Sequence, residues 1–140
     1  MKVEVVLVVA LLLVVVLLVG CQPAADTATK ATIDPKSLPN TVDVKTTRAL
    51  QDNPDVVLID VREPNEYSAG YIAGAKLIPL GQVPARLNEI PKDKTVIVTC
   101  RSGNRSGQAT SYLRQQGFSN VHNMAGGIVA WQQAGLPLDK

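Results

Sequence analysis

Two uninterrupted apolar runs constrain most strongly how this chain can fold. Residues 56–59 read Val-Val-Leu-Ile and residues 95–99 read Thr-Val-Ile-Val-Thr. Each run leads directly into an ionisable side chain, Asp60 and Cys100 respectively. Continuous β-branched runs are typical of strands buried on both faces of a parallel sheet, whereas half-buried strands alternate in polarity. The runs therefore predict a parallel sheet that is covered on both sides.

Weaker patterns supply the remaining elements. Three short segments are further strand candidates, the first of them at an edge: residues 41–44, 76–79 and 120–123. Helices are predicted around Val83, Leu87 and Ile90, over residues 105–116 and 128–134, and from Glu63 and Glu66 onward. Strands that alternate with helices predict an α/β domain with a small, about five-stranded parallel sheet and helices on both faces.

The first 20 residues predict an export signal. Residues 5–19 are an apolar run behind Lys2, too short for a membrane span of roughly 20 residues. Residues 18–21, Leu-Val-Gly-Cys, resemble a bacterial lipobox, although Glu4 weakens the positive start. Cleavage would expose Cys21 for lipidation and hold the domain at a bacterial membrane, on the periplasmic or extracytoplasmic side. An ordinary signal peptide with an incidental cysteine, or an uncleaved anchor, remains an alternative.

The composition changes again after the signal. Residues 21–40 contain almost no large apolar side chains and predict a flexible tether, which leaves residues 41–140 as the domain. The chain has 14 basic and 12 acidic residues, and the signal removes one of each, so the net charge stays at +2. Such a small, dispersed charge argues against nucleic-acid binding. We expect a monomer without metal or cofactor.

A polar loop begins at Cys100, after the second apolar run. Residues 101–105 are Arg, Ser, Gly, Asn and Arg, and an amphipathic segment follows. Ligands of open α/β sheets bind at the carboxyl ends of strands, where this loop is expected. Gly103 and Asn104 tolerate positive φ, so successive N–H groups can point inward and form an anion-binding nest at a helix start.

A thiol at the base of this nest is predicted to be reactive. The N–H groups together with Arg101 and Arg105 should lower the pKa of Cys100, and the thiolate is the nucleophilic form. Both arginines are candidate ligands for an oxyanion sulfur donor. Ser102 and Asn104 either add polar contacts or face solvent as turn residues. An inert buried cysteine and a disulfide with Cys21 are the structural alternatives.

The sequence at this loop resembles a known family. Residues 100–106, Cys-Arg-Ser-Gly-Asn-Arg-Ser, are similar to the active-site loop of rhodanese-like domains, which are single-domain sulfurtransferases. Residues 58–75 and the Gly126-Gly127 pair with Trp131 match further segments of that family in the same order. The resemblance implies a rhodanese-like fold, a persulfide on Cys100, and an Asp60–Arg62 pair that braces the site.

The spacing within the loop narrows the expected chemistry. Phosphatases and arsenate reductases with a related loop need five residues between cysteine and arginine, which widens the cradle for a tetrahedral oxyanion. Here four residues separate Cys100 from Arg105. The resemblance therefore implies a shorter loop, sized for a persulfide sulfur, and favours sulfur transfer over phosphoryl or arsenate chemistry.

Positions 71 and 122 bear on whether a histidine takes part in the mechanism. The family usually has histidine where this chain has Tyr71, and we expect that substitution to adjust packing rather than remove activity. His122, the single histidine, is predicted to be a structural or surface residue. A thiol that the loop already ionises needs no histidine base.

Three functional hypotheses follow from these residues. The first is an enzyme that takes sulfane sulfur from a donor such as thiosulfate and passes it to a thiophilic acceptor, which is cyanide in an assay and a thiol or protein in the cell. The second is a membrane-tethered binding module with vestigial sulfur transfer. The third is a redox or sulfide sensor.

Overall fold

Five parallel strands form the single sheet of the domain in the computed structural model, which describes residues 33–140. In chain order the strands are β1 (Thr41–Val42), β2 (Val56–Asp60), β3 (Lys76–Leu77), β4 (Thr95–Thr99) and β5 (Val121–Met124). Their order across the sheet is β1-β5-β4-β2-β3, and every adjacent pair is parallel. The two strands predicted from the strongest apolar runs, β2 and β4, are neighbours near the centre.

The described residues also form four α-helices and two 3₁₀ segments, which lie before, between and after the strands. The helices are α1 (Val44–Leu50), α2 (Pro64–Ser68), α3 (Asn104–Gln115) and α4 (Gly127–Gln133), and the 3₁₀ segments are Pro35–Ser37 and Leu80–Glu89. Helix α3 and the longer 3₁₀ segment cover one face of the sheet, while α1 and α4 cover the other. The predicted α/β class, with its small parallel sheet covered on both faces, is confirmed.

The burial of strand β4 explains why its three central residues are all apolar. Val96 and Val98 point into the cluster shared with Leu113 of α3, whereas Ile97 points into the cluster shared with Trp131 of α4. All five side chains of β4 are at most 5% exposed, and the three central ones are fully buried. Because side chains alternate between faces, a strand buried on both sides has consecutive apolar residues rather than alternating ones.

Two local predictions were wrong. The segment that carries Val83 is not an α-helix: it is the 3₁₀ segment Leu80–Glu89, which contains Pro84 and is broken by non-helical dihedral angles at Arg86. Proline lacks the N–H needed for an interior helical hydrogen bond. Helix α1 was not predicted, because residues 41–44 were all assigned to a strand. It begins after Asp43, whose carboxylate accepts the N–H of Thr46 at 2.7 Å.

The domain also begins earlier than the sequence predicted. Residues 33–40, assigned to the tether, pack against the folded unit. Ile33 and Leu38 contact the apolar cluster beneath α1 and α4. The hydroxyl of Thr95 donates to the carbonyl of Pro35 at 2.7 Å. A tether that ends at residue 40 is therefore too long at its carboxyl end.

The predicted signal and Cys21 lie outside the described residues. Within residues 33–140, no helix is both long and apolar enough to cross a membrane.

Candidate active site

Cys100 follows β4 at the carboxyl edge of the sheet. The last residue of β4, Thr99, is in register with Asp60, and its carbonyl accepts the N–H of Val61 at 2.9 Å. Cys100 is a free thiol and is 1% exposed. The paired strand ends thus bring the cysteine to the same edge of the sheet as Asp60 and Arg62, as expected for parallel strands that end together.

The turn after Cys100 points an N–H group at the sulfur. Gly103 has a φ of +92°, and its N–H lies 3.1 Å from the Sγ of Cys100. A Cβ at Gly103 would also lie 2.9 Å from the backbone nitrogen of Gly126. Both the left-handed backbone and the close approach therefore require glycine at this position. Asn104 does not share the positive φ, because it is already the first residue of α3.

Ser106 was not among the predicted site residues, yet it contacts the sulfur directly. Its hydroxyl donates to the Sγ of Cys100 at 3.3 Å, and the residue is fully buried. Burial by itself raises the pKa of Cys100. The hydroxyl of Ser106 and the N–H groups of Ser106, Ser102 and Gly103 outweigh that effect and lower the pKa below its ordinary value. The surroundings of the thiol therefore favour the thiolate.

The arginines are arranged differently from the prediction. Arg101 is exposed, as are Ser102 and Asn104. Arg105 directs both terminal nitrogens to the carboxylate of Glu66, each at 2.7 Å. Hydrogen bonding from Arg105 lowers the pKa of Glu66 to about 2. The guanidinium that the sequence assigned to an oxyanion donor is therefore already paired, and the donors in contact with the sulfur are N–H groups and a hydroxyl.

A buried ion pair supports the neighbouring strand end. Arg62 donates to both carboxylate oxygens of Asp60 at 2.7–3.0 Å, and these two residues are 5% and 0% exposed. The same guanidinium donates to the carbonyls of Glu66 at 3.1 Å and Gly70 at 2.8 Å. Arg62 thereby ties the segment that carries Glu66 to the edge of the sheet next to Cys100.

Comparison with known proteins places this geometry in a family. The model of the Rhodanese-like domain family matches residues 43–134. The chain belongs to the rhodanese-like domain family. A sulfurtransferase of Allochromatium vinosum is 49% identical over 89 residues, which cover 64% of this chain and 83% of that protein. The thiosulfate sulfurtransferase GlpE of Pseudoalteromonas translucida is 38% identical over 66% of this chain and 89% of its own.

A solved structure agrees with the fold. The crystal structure of a rhodanese-related protein from Thermoplasma volcanium superimposes with a TM-score of 0.67 at 30% identity, over 72% of this chain and 98% of that chain. Because the sequence relatives are named sulfurtransferases, sulfur transfer is the general chemistry that the family supports here.

The last segment of the rhodanese-like domain closes against the cysteine loop. The N–H of Ile128 donates to the carbonyl of Cys100 at 2.8 Å, and that of Val129 donates to Arg101 at 3.0 Å. A Cβ at Gly127 would lie 2.3 Å from the Cys100 carbonyl oxygen, and its φ is +55°. The Gly-Gly pair is therefore needed for helix α4 to begin directly against the loop.

Tyr71 and His122 both have structural surroundings. The ring of Tyr71 stacks on Tyr67 with centroids 4.3 Å apart, and its backbone forms a bridge with Asp139. His122 lies on β5 in register with Ile97, is 7% exposed, and places Nδ1 2.7 Å from the carbonyl oxygen of Pro39. These contacts explain how tyrosine is accommodated at position 71 and why His122 is fixed in the core.

The hydroxyl of Ser106 gives a test of how the thiolate is stabilised. We expect Ser106→Ala to raise the pKa of Cys100, because one hydrogen bond to a charged sulfur is lost. The rate of alkylation by iodoacetamide, measured against pH, should shift its midpoint upward accordingly. Ser102→Ala is the matched control, since Ser102 is exposed and acts through its backbone N–H. Equal shifts in the two variants would contradict this role.

Proposed function

We propose that this rhodanese-like domain transfers sulfane sulfur from a donor such as thiosulfate to an external thiophilic acceptor through a persulfide on Cys100. One observation carries the proposal: the sulfur of Cys100 accepts the N–H of Gly103 at 3.1 Å and the hydroxyl of Ser106 at 3.3 Å. These donors favour the thiolate over the thiol. They are also suited to the terminal sulfur of a persulfide, which carries the same single negative charge.

The first half-reaction loads the cysteine. The Cys100 thiolate attacks the outer sulfur of thiosulfate, a new S–S bond forms, and the bond between that sulfur and the sulfonate breaks. Sulfite leaves with the electron pair, so no external oxidant or reductant is needed. The product is a persulfide anion held by the loop amides. Arg101, which is exposed at the loop, is the cation available to attract a dianionic donor.

The second half-reaction transfers the outer sulfur of the persulfide to the acceptor. A nucleophilic acceptor, cyanide in an assay or a thiol in the cell, attacks the outer sulfur of the persulfide, and the Cys100 thiolate leaves. With cyanide the product is thiocyanate. The whole sequence contains one cysteine besides Cys100, and Cys21 is the proposed lipidation site. The acceptor therefore comes from outside the domain.

Formation of the persulfide is the decisive test of this proposal. Incubation with thiosulfate should increase the intact mass by one sulfur atom, and cyanide should restore the original mass. Steady-state rates against thiosulfate at several cyanide concentrations should give the parallel double-reciprocal lines of a ping-pong mechanism. If no persulfide forms while a protein partner is retained by both the native chain and Cys100→Ala, the domain is a binding module instead.

We propose, in addition, that residues 1–20 are a lipoprotein signal and that lipidated Cys21 holds the domain on the outer side of a bacterial membrane. The motifs that support this are the apolar run at residues 5–19 and the Leu-Val-Gly-Cys sequence at residues 18–21. Several acyl chains on one residue anchor stably, since each buried CH₂ contributes about 0.8 kcal/mol. Radiolabelled palmitate should enter the native chain, and Cys21→Ser should abolish the labelling. Equal labelling of the two proteins would refute lipidation at this residue.

A further inference from the structure

The ion pair between Arg105 and Glu66 occupies the guanidinium at the carboxyl end of the cysteine loop. Both terminal nitrogens of Arg105 donate to the two carboxylate oxygens at 2.7 Å. The side chains are 30% and 27% exposed, so the pair lies at the surface beside the loop. The charge of Cys100 also raises the pKa of Arg105, after the larger effect of Glu66, which indicates that the guanidinium remains within electrostatic reach of the sulfur.

Glu66 is held in this position by contacts of its own. Its Oε2 accepts the N–H of Glu63 at 3.1 Å, as part of the capping box that begins α2. Its backbone carbonyl accepts a hydrogen bond from Arg62 at 3.1 Å. A carboxylate fixed at both its head and its backbone loses little further freedom on pairing. It is therefore a strong competitor for Arg105.

The geometry of the pair has a consequence for anions. A guanidinium binds two oxygens of a sulfate, phosphate or sulfonate group through the same two parallel N–H bonds that Glu66 now accepts. While Glu66 holds these donors, an oxyanion in the loop has only backbone N–H groups and Arg101 to bind. The carboxylate also cancels the positive charge of Arg105. A thiolate or persulfide carries one charge and no oxygens, so the pairing of Arg105 with Glu66 reduces its stabilisation much less.

We infer that Glu66 is a specificity-determining residue that acts by positioning Arg105 and thereby weakens binding of tetrahedral dianions, thiosulfate included, relative to singly charged persulfides. This inference rests on the proposed sulfur transfer through Cys100. It assigns Glu66 no contact with the reacting atoms. It adds a second barrier to oxyanion chemistry besides the length of the loop.

Glu66→Gln and Glu66→Ala test the inference against a charge-matched control. Inhibition by sulfate should strengthen roughly tenfold in Glu66→Gln, the value expected for one charge-assisted pair, and at least as much in Glu66→Ala. The KM for thiosulfate should fall in parallel, whereas the KM for glutathione persulfide as donor should stay within about twofold. Glu63→Gln removes a negative charge from the start of the same helix but leaves Arg105 paired, so its constants should match the native ones.

Two further measurements test whether Glu66 acts through Arg105. The midpoint of Cys100 alkylation against pH should fall in Glu66→Gln, because an unpaired guanidinium stabilises the thiolate. Adding Arg105→Gln to Glu66→Gln should abolish both the stronger sulfate inhibition and the lower midpoint. Unchanged sulfate inhibition in Glu66→Gln, or an equal gain in Glu63→Gln, would overturn the inference.

The test of Glu66 can be distinguished from the test of sulfur transfer through Cys100. Protection of Cys100 from alkylation by sulfate reports oxyanion binding without any turnover. If no variant forms a persulfide, the proposed sulfur transfer fails. Stronger sulfate protection in Glu66→Gln would still support control of anion binding by Glu66, and its absence would refute that control as well.

Discussion

Replacing Cys100 with serine is expected to lower thiosulfate:cyanide sulfur transfer at least about a thousandfold. A serine alkoxide is not formed at neutral pH in this loop, and an oxygen nucleophile cannot store sulfane sulfur as a persulfide. The amides and hydroxyl that surround the sulfur would remain, but they stabilise charge without providing a nucleophile. Intact mass after incubation with thiosulfate should therefore show no added sulfur in this variant.

The control for this experiment is a check that the variant remains folded. Cys100 is 1% exposed, so the substitution must not act through unfolding. The smaller hydroxyl can accept the same N–H of Gly103, and we expect the melting temperature of Cys100→Ser to stay close to that of the native domain. Cys100→Ala, which loses the hydrogen bonds as well, should be equally inactive. Retention of more than a tenth of the native rate by a folded variant would show that sulfur does not pass through Cys100.

The sheet could be predicted because its strongest signals are local. The apolar residues of β2 and β4 are consecutive in the sequence, and burial on both faces explains their composition without any knowledge of their partners. The position of Cys100 at a strand end followed from the same run. The weaker edge strands β1 and β3 are only two residues long in the structure, so their predicted bounds were too generous.

The pairing of side chains at the site could not be predicted in this way. Glu66 and Arg105 are 39 residues apart, and no spacing rule connects them. Glu66 was interpreted only as the start of a helix, where a carboxylate suits the first turn. Its second role depends on where α2 lies relative to α3, which is a property of the folded chain. For this reason the sequence did not reveal that the guanidinium of Arg105 donates its hydrogen bonds to Glu66.

Ser106 could have been found from helical geometry. It lies in the first turn of α3, and the loop returns the start of this helix to the end of β4. A residue six positions after the cysteine therefore faces the sulfur once Gly103 adopts its left-handed conformation. The available signal was a small hydroxyl residue at a buried position of an amphipathic helix. Such a residue is a weaker signal than the charged side chains of the loop beside it.

Residues 33–40 illustrate the limit of composition. They contain few apolar side chains, which predicted a tether. In the structure this segment is held largely by its backbone carbonyls. That of Pro35 accepts a hydrogen bond from the hydroxyl of Thr95, and that of Asn40 accepts one from the N–H of Asn123. The carbonyl of Pro39 lies against the ring of His122. Backbone groups are the same in every sequence, so this contribution cannot be seen in the choice of residues.

Replacing Arg62 with methionine is expected to cost about 3–5 kcal/mol of unfolding free energy, the largest stability change we predict for a single side chain of this domain. The substitution leaves the fully buried carboxylate of Asp60 without its cation. It also removes the donor to the carbonyls of Glu66 and Gly70. For a domain of this size such a loss should lower the melting temperature by more than about 10 °C.

The size of this effect depends on burial, so an exposed pair provides the control. Arg48 contacts Asp52 at 3.3 Å, and their side chains are 47% and 85% exposed. Arg48→Met should change the unfolding free energy by less than about 1 kcal/mol, because water already solvates both charges. Adding Asp60→Leu to Arg62→Met should recover part of the loss, since the orphaned carboxylate is then removed. A loss in Arg62→Met no larger than that in Arg48→Met would show that the buried pair does not stabilise this edge of the sheet, and Arg62 would then have to be explained by its contact with the segment that carries Glu66.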